Sequence, residues 1–315
     1  MDQGAAERES TSRRDFLAST AAALAAGALA TKIVAADAPP AVPPTASPVK
    51  RNLKKAVMYG MIAGKDSVMD KFKLLRSLGF DGVELDSPGM HTDEVLAARD
   101  ATGLLIEGVV DSVHWNIPLS DPDPKHRAAG VKALETALRE CKLYGGTSVL
   151  LVPAVVNKRV SYEVAYERSQ AEIRKVIPLA EELGVKIAIE NVWNQFLLSP
   201  MEAARYVDEF KSPAVGWHFD IGNVINYGWP EQWIRILGKR IVKLHIKEYS
   251  RKKRDAEGLW KGFGVDLLEG DNDWPSIMKA LDEIGYTGWG CAEISGGGAD
   301  RLKVVADKMD QIFAL

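Results

Sequence analysis

The sequence predicts a single (β/α)8 barrel of the α/β class, preceded by a signal peptide and a Pro-rich linker. Three observations carry this. Eight short β-rich runs alternate with longer amphipathic runs along residues 51–315. The β-rich runs are continuous apolar stretches rather than strict alternations, as in strands of a parallel sheet covered on both faces. The length of this part suits one barrel of roughly 250 residues. An open doubly wound sheet would have fewer strands and a Gly-rich phosphate turn after the first, but "MYGMIAGKDS" holds no GxGxxG.

The front of the chain is set apart. "STSRRDFLAST" places Arg13 and Arg14 before Phe16 and Leu17, and an Ala-rich stretch runs on to about Ala30. A basic region, a weakly apolar region and small residues near Ala36 form a signal peptide over 1–36. The adjacent arginines resemble a twin-arginine signal, which implies the twin-arginine export machinery as a partner and a periplasmic address. The apolar run is too short and Ala-dominated for a stable membrane span, which needs ~20 apolar residues. "APPAVPPTASPVK" reads as an extended linker over 37–50.

Within 51–315 the strand candidates are, in order, "KAVMYGM", "DGVEL", "IEGVVDS", "TSVLLVP", "VKIAIEN", "VGWHFDI", "IVKLHIKE" and "GWGCAEI". The first helix candidate, "DSVMDKFKLLRSLGF", spaces Val68, Phe72, Leu75 and Leu78 helically. "AAGVKALETALRECKLYGG" keeps Val131, Leu134, Leu138 and Cys141 in step before a Gly-Gly stop. "SYEVAYERSQAEIRKVIPLAEELG" ends in Gly184, a C-cap. "SPMEAARYVDEF" opens with Ser199 as N-cap and Pro200 at the first helical position. "NDWPSIMKALDEIGY" and "ADRLKVVADKMDQIF" complete the set. The basic run "EYSRKKRD" reads as a solvated loop after strand seven, and "SGGG" after Glu293 reads as a phosphate cradle or a plain turn.

The formal net charge is −3 with no basic face, so nucleic acid is not expected as a partner. Cys141 and Cys291 have no CxxC spacing and read as buried small apolar residues.

In a barrel of this kind the C-terminal strand ends form the active site. Ionisable groups recur there: Glu84 on strand two, Asp111 and His114 on strand three, Glu190 on five, His218 and Asp220 on six, His245 and Lys247 on seven, Glu293 on eight. Charges in apolar strands are costly unless paired or bound to metal. Glu190, Asp220, His245 and Glu293 together offer three carboxylates and an imidazole, a donor set for a divalent ion such as Mn, Mg, Co or Zn. His114, Trp115 and Trp193 read as walls of a sugar pocket or as core filling. His218 shares the face of Asp220 and reads as a substrate contact or an interior hydrogen bonder. Glu84 and Lys247 read as substrate-binding or ion-pairing groups.

"AIEN", "FDIGN", "LHIKE" and "CAEISG", in that order on the last four strands, resemble the xylose isomerase-like superfamily of TIM barrels. The match is closest to the sugar isomerase and epimerase branch that includes the tagatose 3-epimerases, and it covers about residues 54–313. The resemblance implies that Glu190, Asp220, His245 and Glu293 are metal ligands, and that Glu190 and Glu293 are also the acid/base pair. It implies that Arg251 contacts substrate. Asn223 stands where the epimerases commonly have His, and Phe196 where they have a second Glu. These departures weigh against ketohexose 3-epimerase specificity and leave the metal set intact. The expected activity is a metal-dependent sugar isomerase or epimerase acting on a keto-sugar or small hydroxy-ketone through an enediolate. The alternative is a lyase or dehydratase on keto-sugars or keto-glycosides using the same site. A nuclease with a zinc cluster is disfavoured by the few His and the absence of net positive charge. Barrels of this family are often dimers or tetramers, so the resemblance allows a homo-oligomer.

Overall fold

The structure, a computed structural model, describes residues 51–315. The expected signal peptide and linker lie outside the described residues. Eight strands close into one parallel barrel in sequence order. They are β1 Leu53–Met58, β2 Gly82–Ser87, β3 Leu105–Asp111, β4 Ser148–Leu151, β5 Lys186–Glu190, β6 Val215–Asp220, β7 Ile241–Ile246 and β8 Gly288–Ala292. Closure is by β1 against β8, with Ala56 opposite Cys291.

Among the described residues ten α-helices surround the barrel: α1 Val68–Ser77, α2 Thr92–Thr102, α3 Pro124–Tyr144, α4 Tyr162–Leu183, α5 Pro200–Asp208, α6 Ile221–Ile225, α7 Pro230–Leu237, α8 Arg251–Glu257, α9 Trp274–Glu283 and α10 Ala299–Phe313. Their limits follow from chemistry in the sequence. Ser199 accepts a hydrogen bond from the Glu202 N–H with Pro200 at the first helical position, and Gly184 ends α4 at φ 65°. The apolar stripes face the sheet: Phe72 and Leu75 of α1, Leu134 and Leu138 of α3, and Ile173 and Val176 of α4 are fully buried. The "SRKKRD" run differs from the expected loop. Ser250 accepts from the Lys253 N–H and starts α8 there. The glycines after Glu293 do not form an open cradle. The Gly297 N–H donates to the Met61 carbonyl, and a Cβ on Gly296 would lie 2.0 Å from that oxygen. These residues bind the loop after β8 to the turn after β1. Cys141 and Cys291 are free and buried. No helix among the described residues is long and apolar enough to cross a membrane.

The barrel interior is unusually polar for a fold that commonly packs this space with Val, Ile and Leu. Lys243 of β7 and Glu107 of β3 form a fully buried ion pair, and the same ammonium donates to the Glu107 carbonyl at 2.7 Å. Two register irregularities prepare the layer above. One skips Glu107 between the Val83 and Glu84 pairings, and the other skips Val242 between the Trp217 and His218 pairings. Such bulges re-aim side chains near functional sites. The second brings Lys243 and His245 onto the inward face. Lys243→Met strands Glu107 as an uncompensated buried charge, so an unfolding stability loss of about 3–5 kcal/mol is expected. The Lys243→Met/Glu107→Leu double variant should recover much of it. Urea titration of both variants checks this.

Candidate active site

β5 ends in Glu190 and β6 in Asp220, β7 carries His245 one residue before its end, and Glu293 directly follows β8. Asp220 pairs across the sheet with His245, and His245 with Cys291. The four side chains therefore converge on one point inside the C-terminal mouth. One donor atom from each lies within 4.8 Å of all the others. His245 Nδ1 is 3.2 Å from Glu190 Oε1, 2.9 Å from Glu293 Oε2 and 3.9 Å from Asp220 Oδ2. Lys247 reaches in from above, its Nζ 3.2 Å from Asp220 Oδ2 and 3.0 Å from Glu293 Oε2. Despite that proximity, neither of those two buried oxygens accepts a hydrogen bond of acceptable geometry.

Asn191 explains why the acid at the end of β5 is followed by an amide. Its Oδ1 accepts from the Trp217 indole at 3.1 Å and the Asp220 N–H at 3.0 Å, and its Nδ2 donates to the Asp220 carbonyl at 2.7 Å. It staples the ends of β5 and β6. Asp220 then caps α6, its Oδ1 accepting from the Asn223 N–H at 2.8 Å, which leaves Oδ2 aimed at the cavity.

Electrostatics divide the carboxylates. Burial pushes Asp220 up to about 8 and raises Glu190 as well. Desolvation also opposes ionisation of Glu293, but Lys247 and His245 together hold it well below the usual carboxylate range. Burial likewise opposes a charge on His245, and Glu84 and Glu293 outweigh it, so the imidazole is held well above its ordinary value. Glu84 is 2.9 Å from His245 Nε2 and is brought down to about 2 against the effect of burial.

These residues fit a divalent ion. Three carboxylates and an imidazole nitrogen lie close enough to share one centre. Two of their buried oxygens, Asp220 Oδ2 and Glu293 Oε2, have only the ion-pair contacts to Lys247 and His245. The second imidazole nitrogen is held by a carboxylate, Glu84, the arrangement that orients a ligating histidine.

A cavity of about 430 Å³ opens above the cluster, lined by Glu190, Glu293, Lys247, Asn223, Trp193 and Trp115 among others. A smaller recess of about 200 Å³ shares Trp115, Glu190 and Glu293 and adds His114 and Asp86. His114 Nδ1 accepts from the Val152 N–H at 3.2 Å, and burial pushes its pKa down to about 4, so it is neutral. Trp193 donates to the Asn223 carbonyl at 2.9 Å.

Three expected substrate contacts fall elsewhere. Glu84 lies behind His245 and lines neither space. His218 shares the face of Asp220 but sits two residues deeper, fully buried, its ring 4.1 Å from that of His245. Arg251 donates to the carbonyls of Ile225 at 2.8 Å and Gly228 at 3.0 Å and packs on Trp229. Its charge is spent on the backbone after α6. Phe196 is buried among Tyr162, Tyr166 and Tyr206, away from the cavity. Sequence reasoning missed Trp260 and Phe263, which line the cavity from the segment after α8. Their signal was two aromatic residues in a polar run.

A family model described as xylose isomerase-like TIM barrel matches residues 72–313. The 2-epi-5-epi-valiolone 7-phosphate 2-epimerase of Actinoplanes sp. is 26% identical over 172 residues, 51% of this chain and 60% of that protein. The chain thus spans somewhat under two thirds of that relative. Inosose dehydratase of Clostridium perfringens is 26% identical over 149 residues, 44% of this chain and 50% of that protein. Among solved structures, 3-keto-D-glucoside 4-epimerase from E. coli has the same fold at 18% identity, with a TM-score of 0.68 over 84% of this chain and 99% of that one.

Proposed function

The chain belongs to the xylose isomerase-like TIM barrel family, and on that premise we propose that it epimerises or isomerises a keto-sugar by moving one proton at the carbon beside the carbonyl. The observation that carries this reading is the convergence of Glu190 and Glu293, from strands separated by β6 and β7, on one cavity above a shared imidazole. Glu190, Asp220, His245 and Glu293 would hold a divalent ion. Bound there, the ion supplies Lewis-acid stabilisation of the negative charge that develops on the substrate oxygens.

The chain's own groups do the rest. One of the two glutamates takes the proton from carbon and the other delivers a proton to the opposite face, which inverts the centre. Delivery to the neighbouring carbon interconverts ketose and aldose. Lys247 and Asn223, on the cavity wall, meet substrate hydroxyls. Trp193 and Trp115 offer flat apolar surfaces to a sugar ring and displace water from it. His114, neutral with Nδ1 occupied, presents its Nε2–H to the recess. Glu84 keeps the imidazole oriented from behind.

The similarity to inosose dehydratase supports a second reading, loss of a β-hydroxyl from the same substrate class. Product analysis after incubation of ketoses, keto-glycosides and hydroxypyruvate with the enzyme plus Mn or Co separates them. An epimer or aldose is expected, and a dehydrated product as the main outcome would favour elimination. Asp220→Asn removes one of the four donors while its remaining oxygen still caps α6. It is expected to lose most bound metal in elemental analysis, on the scale of roughly 10–100-fold or more in affinity.

A further inference from the structure

The two glutamates occupy only the floor of the cavity. Its outer wall is a platform of three rings. Trp193 lies 4.7 Å from Trp260 and 4.9 Å from Phe263 between centroids, and Trp260 lies 6.4 Å from Phe263. Trp260 is 67% exposed. Together with Trp193 and Phe263 it makes a contiguous aromatic surface that lines the cavity. A large ring left in water at the edge of a polar cavity marks a surface for ligand.

The segment that presents it is firmly built. Gly262 lies directly on the ring of buried Tyr249, where a Cβ would come within 2.4 Å of Cζ. The Tyr249 hydroxyl donates to the Leu259 carbonyl at 2.8 Å, and the Ser250 N–H donates to the Gly262 carbonyl at 2.8 Å. A platform held this way is ordered before ligand arrives. It is also continuous with the acid cluster, because Lys247 Nζ lies 5.0 Å from the Phe263 ring centre and 3.0 Å from Glu293. The nearby Glu248 carboxylate is turned into the fold, accepting from the Leu268 N–H and the Trp274 indole at 2.8 Å each.

We propose that Trp260, with Trp193 and Phe263, forms a subsite for the second ring of a glycoside, so that the substrate is a keto-glycoside rather than a free keto-sugar. The inference rests on the sugar reading of the cavity. The ring beyond the reacting sugar lays its flat face on the indole, whether that ring is another sugar or an aryl group.

Calorimetric titration of the full chain with glucose, cellobiose and phenyl β-glucoside tests this without requiring turnover. The wild type should bind one or both two-ring ligands about 10-fold more tightly than glucose, the scale of a good aromatic contact with its buried area. Trp260→Ala should bring the two-ring ligands down to the affinity of glucose, and Trp260→Phe should restore most of the advantage. Cellobiose and phenyl β-glucoside distinguish a sugar from an aryl ring. Equal binding of all three by the wild type, or an equal loss for all three in Trp260→Ala, would overturn the subsite. Failure of the enzymatic reading would appear separately, as absence of turnover on any keto-sugar.

Discussion

Replacing Glu190 by glutamine is expected to lower turnover by about 10²–10⁴-fold, the range supplied by one positioned acid or base. The amide keeps the shape of the side chain at the end of β5 and cannot take up a proton from carbon. Its contact to His245 Nδ1, 3.2 Å away, survives in altered form. Unfolding should stay cooperative, because Asn191 rather than Glu190 ties β5 to β6. Turnover measured beside metal content separates a lost proton acceptor from a lost ligand. Near-normal turnover would remove Glu190 from the chemistry.

His245→Ala is expected to lower stability on the same scale as Lys243→Met. Its ring lies among Glu84, Glu190, Asp220 and Glu293, all within 3.9 Å of a ring nitrogen. Removing it leaves carboxylates facing one another in a buried layer, a loss on the order of 3–5 kcal/mol. The pH dependence has a definite sign. The folded imidazole is held above its ordinary value, against burial, by Glu84 and Glu293. Its stabilisation is therefore fully present below about 6.5, the unfolded value, and is lost as pH rises through the folded value. In metal-free protein the stability gap between wild type and His245→Ala should be widest at acid pH and narrow as pH rises. Urea unfolding in the presence of chelator, repeated across pH, measures that gap.

The barrel and the convergence of Glu190, Asp220, His245 and Glu293 were legible because acids in apolar strands are expensive and these recur at one end. Period-two alternation placed His218 on the face of Asp220, and Glu84 was placed at the end of its strand. It says nothing of depth, and both proved to lie behind or below His245. Arg251 was misplaced for a different reason. The resemblance put it on the substrate, yet Ser250 caps a helix there and the guanidinium satisfies the carbonyls of Ile225 and Gly228. The Lys243–Glu107 pair was hidden because its partners are 136 residues apart and meet only when β3 and β7 face each other across the closed barrel. Trp260 and Phe263 carry no periodicity, so only the packing of Gly262 on Tyr249 reveals where they stand.

The proposed reaction takes a proton from the carbon beside the carbonyl and returns one to that carbon or its neighbour. It is tested most directly by incubating a keto-sugar substrate with the enzyme and Mn or Co in D2O, then locating deuterium by NMR in the recovered sugar. Deuterium at one of these two carbons is predicted with the wild type and not with Glu190→Gln. Product formed with the original proton retained, or an unsaturated product in place of a labelled sugar, would contradict it.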